Sequence, residues 1–278
     1  MKTLRVFAVA LGLVVGAAYG DEKKDDRKDA ELGLAELSME VQALRTLYNL
    51  RLTNEQMKEL AKYAKDAAEP ARKRNQGKAS DEYRKVLTEL RDALAAASDD
   101  DKIGDLEDAF TELEEKEKPD MDDSVEATGP ARKRAPELFK KMRPSQLASY
   151  LGFLADDVVD PQDVLVSTMK EIRSANNEEW KDRRDDLAEE LGWLLGGVDE
   201  KKAQKVNDQV VAFLNKVKAL GDDEFKAKQA DLEMEAEKLT GDVGPDRVLR
   251  NRVERTFAEL LSNPRLGAAL VLRLKESK

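Results

Sequence analysis

The side chains that this chain lacks limit the chemistry it can carry out. Its 278 residues include no histidine and no cysteine, whereas 58 are Asp or Glu and 48 are Lys or Arg. Ser-His-Asp and Cys-His nucleophiles, protein-ligated haem, iron–sulfur clusters and structural zinc sites all need imidazole or thiolate groups. The sequence therefore excludes these classes and leaves carboxylates, Lys, Tyr, Ser and Thr to carry any reaction.

Clustered carboxylates are the obvious candidates for metal binding. Three Asp at 99–101 lead to Gly104 with the spacing of an EF-hand loop, but Ile103 stands at a ligand position and Phe110 replaces the bidentate Glu. The similar spacing at 120–131 lacks both the turn glycine and the final Glu. We interpret these acids as helix N-caps and solvated surface. The sequence thus predicts no metal site and no cofactor.

Paired carboxylates are also the residues of glycoside hydrolysis. Adjacent acids occur at 156–157, 185–186, 189–190 and 222–223. A glycosidase needs two carboxyl groups converging on a cleft, one of them in an apolar setting. Aromatic residues, which would form sugar-stacking platforms, are only 5% of the chain. We therefore predict no catalytic residues, and retain a carboxylate-based hydrolase or lyase acting on envelope polysaccharide as the least favoured alternative.

The first 20 residues are typical of a secretory signal peptide. Lys2 and Arg5 precede an apolar run at 6–18, and small residues then lead into the charged stretch 21–29. The run is too short to span a bilayer of about 30 Å. We expect cleavage after Gly20, a disordered head at 21–29, a periplasmic or secreted protein, and no membrane span in the mature chain. The net charge of −10 disfavours nucleic acid as a partner.

The elements that position these side chains are predicted to be helices. Apolar residues recur at steps of three and four, and the remaining positions are mostly charged. The fold class is all-α, with about ten amphipathic helices in two loosely joined antiparallel bundles or hairpins. The longest regular seam consists of Ala203, Val206, Val210, Phe213, Val217 and Leu220.

Composition divides the predicted helices into two regions. An N-terminal helical region covers 30–117 and a C-terminal helical domain covers 131–278. Between them, residues 118–130 are acidic, contain Pro and Gly, and have few apolar side chains. We interpret this segment as a flexible linker.

Two other features have more than one interpretation. The basic runs 70–74 and 130–134 share the letters Pro-Ala-Arg-Lys-Arg, and either dock an anionic partner or solvate a helix. What they bind is left open by the sequence. Trp180 lies in register with Leu187 and Leu191, which indicates core packing. Trp193 lies off that seam, either as an exposed recognition aromatic or, as we favour, within a helix end buried on all sides.

A short motif opens the second predicted helix. Thr53 to Gln56 has the pattern of a capping box, and Leu52 and Met57 stand where a hydrophobic staple would place them. The stretch Leu52-Thr53-Asn54-Glu55-Gln56 resembles the L-T-x-x-Q motif of the Spy/CpxP-type periplasmic stress proteins, which carry the motif twice. A degenerate second copy, without the Thr, lies at 142–146.

The resemblance implies an exported helical protein that binds clients or senses metal stress on the concave face of a helical cradle. The chain lacks the histidines that metal-sensing relatives use. We therefore predict a non-enzymatic, scaffold or chaperone-like protein whose predicted helices at 30–50, 54–68 and 145–155 grip apolar segments of other polypeptides. A self-associating structural envelope protein, dimerising through 203–239, is the alternative. The residues assigned to partner binding are Leu52, Met57, Leu60, Tyr63, Leu147, Tyr150 and Phe153.

Overall fold

Helices form all of the regular structure in the part of the chain that the computed structural model describes, residues 32–153, 160–171, 175–241 and 243–276, with side chains at 151–153 and 276 excepted. The all-α prediction is confirmed. The predicted signal peptide (1–20) and charged head (21–29) lie outside the described residues. In chain order the helices are α1 (Leu34–Asn49), α2 (Asn54–Ala67), α3 (Asp81–Ala96), α4 (Asp100–Glu117), α5 (Gly129–Phe139), α6 (Pro144–Phe153), α7 (Pro161–Glu171), α8 (Asn177–Gly196), α9 (Glu200–Lys218), α10 (Asp222–Thr240), α11 (Pro245–Ser262) and α12 (Leu266–Glu276).

The described ranges contain twelve helices, more than the sequence predicts. Helices α5, α6, α7 and α12 have only 10 or 11 residues each. Each therefore shows only about three turns of the periodicity on which the prediction depends. In the same ranges, no helix is both long and apolar enough to cross a membrane.

Side-chain caps mark the helix starts where the sequence predicts them. The Oγ1 atom of Thr53 accepts the Gln56 N–H at 3.3 Å, and the Gln56 Oε1 accepts the Thr53 N–H at 2.9 Å, so the capping box is confirmed. Asp99 caps α4 by accepting the Asp101 N–H, which gives one of the clustered carboxylates a structural role. These bonds satisfy backbone N–H groups that have no partner within the helix.

The predicted seam of α9 faces the interior of the same chain. Val210, Phe213 and Val217 are buried in a core built by α7, α8, α9 and α10, and Phe225 and Leu232 of α10 lie in the same core. The seams at 203–239 therefore pack within one chain. Val206, Leu220 and Leu239 of these seams are only partly buried, and the homodimer through 203–239 stays a prediction.

The last two helices connect the regions that composition separates. Helix α11 packs chiefly on α5 and α8 and also on α2, while α12 packs on α1, α2 and α3. Near the start of α11, Val248 belongs to the core of α7–α10, whereas Phe257 lies beside α2 and α5. Residues Gly33–Lys278 form one compact unit, so the two-bundle arrangement is not confirmed.

The predicted linker, residues 118–130, is attached to the end of α2 and to the non-helical stretch that follows it. The Asp122 N–H donates to the Asn75 carbonyl at 2.9 Å, and Arg74 Nη1 donates to the Ser124 carbonyl at 2.6 Å. The Thr128 hydroxyl donates to the Ala67 carbonyl at 2.7 Å, and α5 already begins at Gly129. Hydrogen bonds, rather than apolar packing, fix the position of this segment. Its composition is poor in apolar residues, and for that reason it suggested a flexible linker.

Candidate functional site

Most of the predicted partner-binding residues lie in the interior. Met57 is 2% exposed and Leu60 is 1% exposed, and Leu52 and Tyr150 are also buried. Tyr63 and Leu147 are half-buried. The side chain of Phe153 lies outside the described residues. The set therefore does not form an exposed apolar stripe in this structure.

The two copies of the motif meet through their glutamines. The amide of Gln56 donates to Oε1 of Gln146 at 3.1 Å, and the amide of Gln146 donates to Oε1 of Gln56 at 2.9 Å. Each Oε1 also accepts the backbone N–H three residues earlier, from Thr53 at 2.9 Å and from Arg143 at 3.0 Å. The second copy thus keeps the glutamine half of a capping box although it has no Thr.

The remaining hydrogen bonds of the pair follow the same symmetry. Gln56 Nε2 donates to the Lys141 carbonyl at 3.0 Å, and Gln146 Nε2 donates to the Arg51 carbonyl at 2.8 Å. The two glutamines are 90 residues apart, and so are Arg51 and Lys141. Each amide therefore uses both N–H donors and two acceptor positions, which is the full capacity of a Gln side chain.

A small void borders this hydrogen-bond network, and Gln56 is one of its lining residues. Its volume is about 10 Å³, close to the minimum that one water molecule needs. Lys141 and Glu59 form an ion pair at its rim. We call it the motif void, and its apolar lining is Leu52, Leu60, Leu138, Met142 and Phe257.

A further polar contact anchors α6. The Tyr150 hydroxyl lies 2.8 Å from Oγ1 of Thr256 on α11. Both hydroxyl groups gain a partner in a partly buried position, and such pairing offsets the loss of water from them. Tyr150 therefore packs as an interior residue.

Both basic runs are used in contacts within the chain. In the first, the side chain of Arg74 is 5% exposed and forms an ion pair with the buried Glu69, while Arg72 pairs with Asp122 at 2.9 Å. In the second, the guanidinium carbon of Arg134 lies 5.0 Å from the centre of the Tyr63 ring. These contacts agree with a structural role for the runs, and none of them identifies an external partner.

Trp193 is enclosed by two arginines. The Arg132 guanidinium carbon lies 3.8 Å from a Trp193 ring centroid and that of Arg255 lies 5.5 Å away, both within cation–π range. The indole is 4% exposed, so the interpretation as a buried residue is confirmed. Burial lowers the pKa of the Arg132 guanidinium, although Glu200 and Glu189 partly offset the effect.

No protein-family model, curated protein or solved structure matches this chain. The functional argument therefore depends on the paired motifs and what surrounds them. Two carboxyl groups of the described residues have shifted pKa values: that of Glu117 is lowered by hydrogen bonds from Ser80, and that of Glu233 is lowered by Gln229 and then Lys170.

Within the described ranges, no group of three or more acidic side chains is placed to hold a metal ion. Larger surface grooves, such as one of about 470 Å³ between the α8–α9 turn and α11, are lined by charged side chains of both signs.

Sequence reasoning missed the residues that link the two motif copies. The second copy at 142–146 was recognised in the sequence, but its contact with the first copy was not. Neither the Glu59–Lys141 ion pair nor Phe257 was expected at the site. The repeat at an offset of 90 residues was visible in the sequence, but a repeat by itself does not show that its copies are in contact.

Proposed function

We propose that this is an exported, non-enzymatic helical protein that binds other polypeptides in a scaffold or chaperone-like role in the cell envelope. The observation that carries the proposal is the reciprocal pair formed by Gln56 and Gln146. The resemblance to the Spy/CpxP-type proteins depends on two copies of one motif. Equivalent hydrogen bonds at both copies support the interpretation that 142–146 is a second copy.

The side chains around the Gln56–Gln146 pair are of the kind that binds apolar segments of other chains. Leu52, Leu60 and Met142 lie together beside the glutamines, and Tyr63 of α2 and Leu147 of α6 are half-buried. Apolar side chains next to charged rims bind exposed apolar segments without needing a reactive group. The charged residues, 38% of the chain, would keep such a complex soluble.

Location is part of the proposal. The basic, apolar and small-residue order of residues 1–20 supports export. A chain without cysteine folds in an oxidising compartment without a risk of wrong disulfides. Client binding is a function that such a compartment needs, because unfolded chains cross it.

The test is suppression of aggregation. The purified protein is added at low stoichiometric ratios to a chemically unfolded test protein, and light scattering is followed. We expect suppression, and we expect Tyr63→Ser combined with Leu147→Ser to reduce it several-fold, since these two side chains are the accessible members of the set. Substituting Met57 or Leu60 would instead disrupt the core.

Met234→Ser is the matched control for this experiment. Met234 is 52% exposed on α10, away from the motif copies, so its replacement removes apolar surface without touching the proposed site. Unchanged suppression in the Tyr63/Leu147 variant would remove these residues from the site. Absence of suppression by the unsubstituted protein would contradict general chaperoning, and a stable homodimer in that case would favour the structural alternative.

A further inference from the structure

A pocket of about 250 Å³ lies between Arg132 of α5 and the facing helices α8 and α9. It shares no lining residue with the motif void. The buried indole of Trp193 is part of its lining, and the Arg132 guanidinium stacks on that ring. Pockets for drug-sized ligands usually measure about 300–1,000 Å³. This pocket therefore has room for a smaller organic molecule.

Arg132 brings to the pocket a positive charge that the chain itself does not pair. Its Nε donates to the Ala127 carbonyl at 3.2 Å. Its Nη1 atom is buried and has no hydrogen-bond acceptor, and no carboxylate among the described residues forms an ion pair with this guanidinium. A charge removed from water without a partner costs free energy, so an anionic group of a ligand would be stabilised here.

The second arginine at the same indole shows what Arg132 lacks. Arg255 forms ion pairs with Glu190 and Glu259. Burial acts to lower the pKa of the Arg255 guanidinium, but these two carboxylates outweigh burial and raise it. The pKa of Arg132 is lowered by burial. One cation at the indole thus has carboxylates in contact with it, and the other has none.

Two carboxylates line the same pocket at a longer distance from Arg132. Glu189 of α8 and Glu200 of α9 are exposed, and neither forms an ion pair with a cation of the described residues. Their charges partly offset the effect of burial on the Arg132 pKa, so both act on the guanidinium through space. The carboxamides of Gln204 and Asn207 add hydrogen-bonding groups to the lining. The pocket therefore presents one positive and two negative groups that do not neutralise each other by contact.

The wall of the pocket is fixed by close packing of α8 on α9. At Gly192, which lines the pocket, an added Cβ would lie 2.9 Å from the carbonyl oxygen of Ala203. One turn later, at Gly196, an added Cβ would lie 2.4 Å from the Ala203 nitrogen. Backbones in such contact leave little freedom for the two helices to move apart. A ligand would therefore enter a preformed site, which lowers the entropy cost of binding.

We propose that this pocket binds a free α-amino acid, with its carboxylate against the Arg132 guanidinium and its α-ammonium group between Glu189 and Glu200. The planar guanidinium is suited to a carboxylate because it can donate two parallel hydrogen bonds. The ammonium group complements the two acids, which are otherwise unpaired. One arginine and two glutamates give the pocket a net charge of −1, so basic amino acids bind more tightly than acidic ones. The site goes beyond the proposed function and does not depend on the Gln56–Gln146 pair.

Calorimetric titration of the purified protein measures the binding. L-lysine is the main probe, L-alanine tests the shared backbone groups, and L-glutamate reverses the charge of the side chain. We expect saturable binding of L-lysine at millimolar concentrations or below, and binding of L-glutamate weaker by at least about threefold. If neither L-lysine nor L-alanine binds saturably at millimolar concentrations, the proposal is overturned.

Substitutions locate the bound amino acid. Arg132→Gln should weaken L-lysine binding by at least about tenfold, since it removes a charge-assisted contact. Glu189→Gln and Glu200→Gln should each weaken it by about threefold, because these carboxylates are exposed. The matched controls are Arg134→Gln, an exposed arginine of the same basic run, and Glu178→Gln, an exposed acid of α8, and neither should change the affinity. Equal affinities of the Arg132 and Arg134 variants would overturn the proposal.

Circular dichroism is recorded for each variant, because Arg132→Gln also removes the stacking on Trp193. If that variant unfolds, Glu189→Gln and Glu200→Gln carry the test, since both change only exposed side chains. Unchanged L-lysine binding in both of these variants would then overturn the proposal.

Two analogues distinguish a free amino acid from the end of a polypeptide. Nα-acetyl-L-lysine lacks the α-ammonium group, as a C-terminal residue does, and L-lysinamide lacks the carboxylate, as an N-terminal residue does. Each should bind at least about tenfold more weakly than L-lysine. An analogue that binds as tightly as L-lysine would overturn the free amino acid as the ligand and indicate the corresponding chain end. The aggregation assay uses neither these ligands nor these variants, so the failure of one proposal leaves the other standing.

Discussion

At the scale of single residues, Gln56 and Gln146 each have two structural roles. Each amide completes the start of its own helix, through the N–H of Thr53 or Arg143, and also bonds to the other copy. A partly buried amide with every donor and acceptor used is stable, whereas one left without its partner loses both water and hydrogen bonds. The two side chains should therefore be strongly coupled.

A double-mutant cycle measures this coupling. Gln56→Ala and Gln146→Ala should each lower the free energy of unfolding by about 2 kcal/mol, and the double variant should cost about 1 kcal/mol less than their sum. Urea unfolding followed by circular dichroism gives the values. Gln204→Ala, an exposed glutamine on α9, is the control and should change stability by less than about 0.5 kcal/mol. If the costs of the two single substitutions simply add, the hydrogen bonds between Gln56 and Gln146 contribute nothing beyond the contacts that each makes at the start of its own helix.

At the scale of elements, the extended segment between α4 and α5 depends on one buried arginine. Arg74 pairs with Glu69 and donates to the carbonyls of Asp122 and Ser124, and both side chains of the Arg74–Glu69 pair are more than nine-tenths buried. The equivalent position of the second run, Arg134, lies instead on an exposed helix face. The basic runs 70–74 and 130–134 thus have the same sequence but different roles, because different elements pack against them.

Removal of the arginine should release the segment. Arg74→Met leaves the buried Glu69 with only the more distant Arg72, at 3.9 Å, and the Glu126 N–H as partners, so it should cost about 3 kcal/mol and make residues 118–128 a preferred site of limited proteolysis. Arg72→Met is the comparison from the same run. Its side chain is 45% exposed, so we expect a cost below about 1 kcal/mol and no new cleavage. Equal cleavage of both variants would show that Arg74 does not hold the segment.

At the scale of the whole molecule, α11 and α12 make one unit from what composition divides into two. Among the described residues, Met234 and Val271 are the large apolar side chains that remain exposed.

Unfolding experiments distinguish one unit from two. Phe257 lies beside α2 and α5, while both tryptophans, Trp180 and Trp193, are on α8. Phe257→Ala should lower the free energy of unfolding by about 3–5 kcal/mol. If Gly33–Lys278 unfolds cooperatively, the tryptophan fluorescence and circular dichroism midpoints should fall together. A fluorescence midpoint that stays unchanged would show two independent bundles.

The sequence alone determined the helical class, many helix starts and the inward-facing seams. These features depend on residues close in the chain: Thr53 caps its own helix, and Val210, Phe213 and Val217 share one face through helical geometry alone. The alignment of the two motif copies was likewise local, since each copy can be recognised by itself. The exclusion of thiolate and imidazole chemistry needed only composition.

Only the tertiary structure decided which faces meet. Gln56 and Gln146 form hydrogen bonds although 90 residues separate them in the chain. Arg74 is buried beside residues 118–130, whose composition suggested a flexible linker. Helix α11 packs both in the core of α7–α10 and beside α2 and α5. Periodicity shows that a helix has an apolar face, but not whether that face binds a client or packs on a neighbour, because both satisfy the same hydrophobic effect. The burial of Met57 and Leu60 was settled by the return of α12 and α11 onto α2, which no local pattern records.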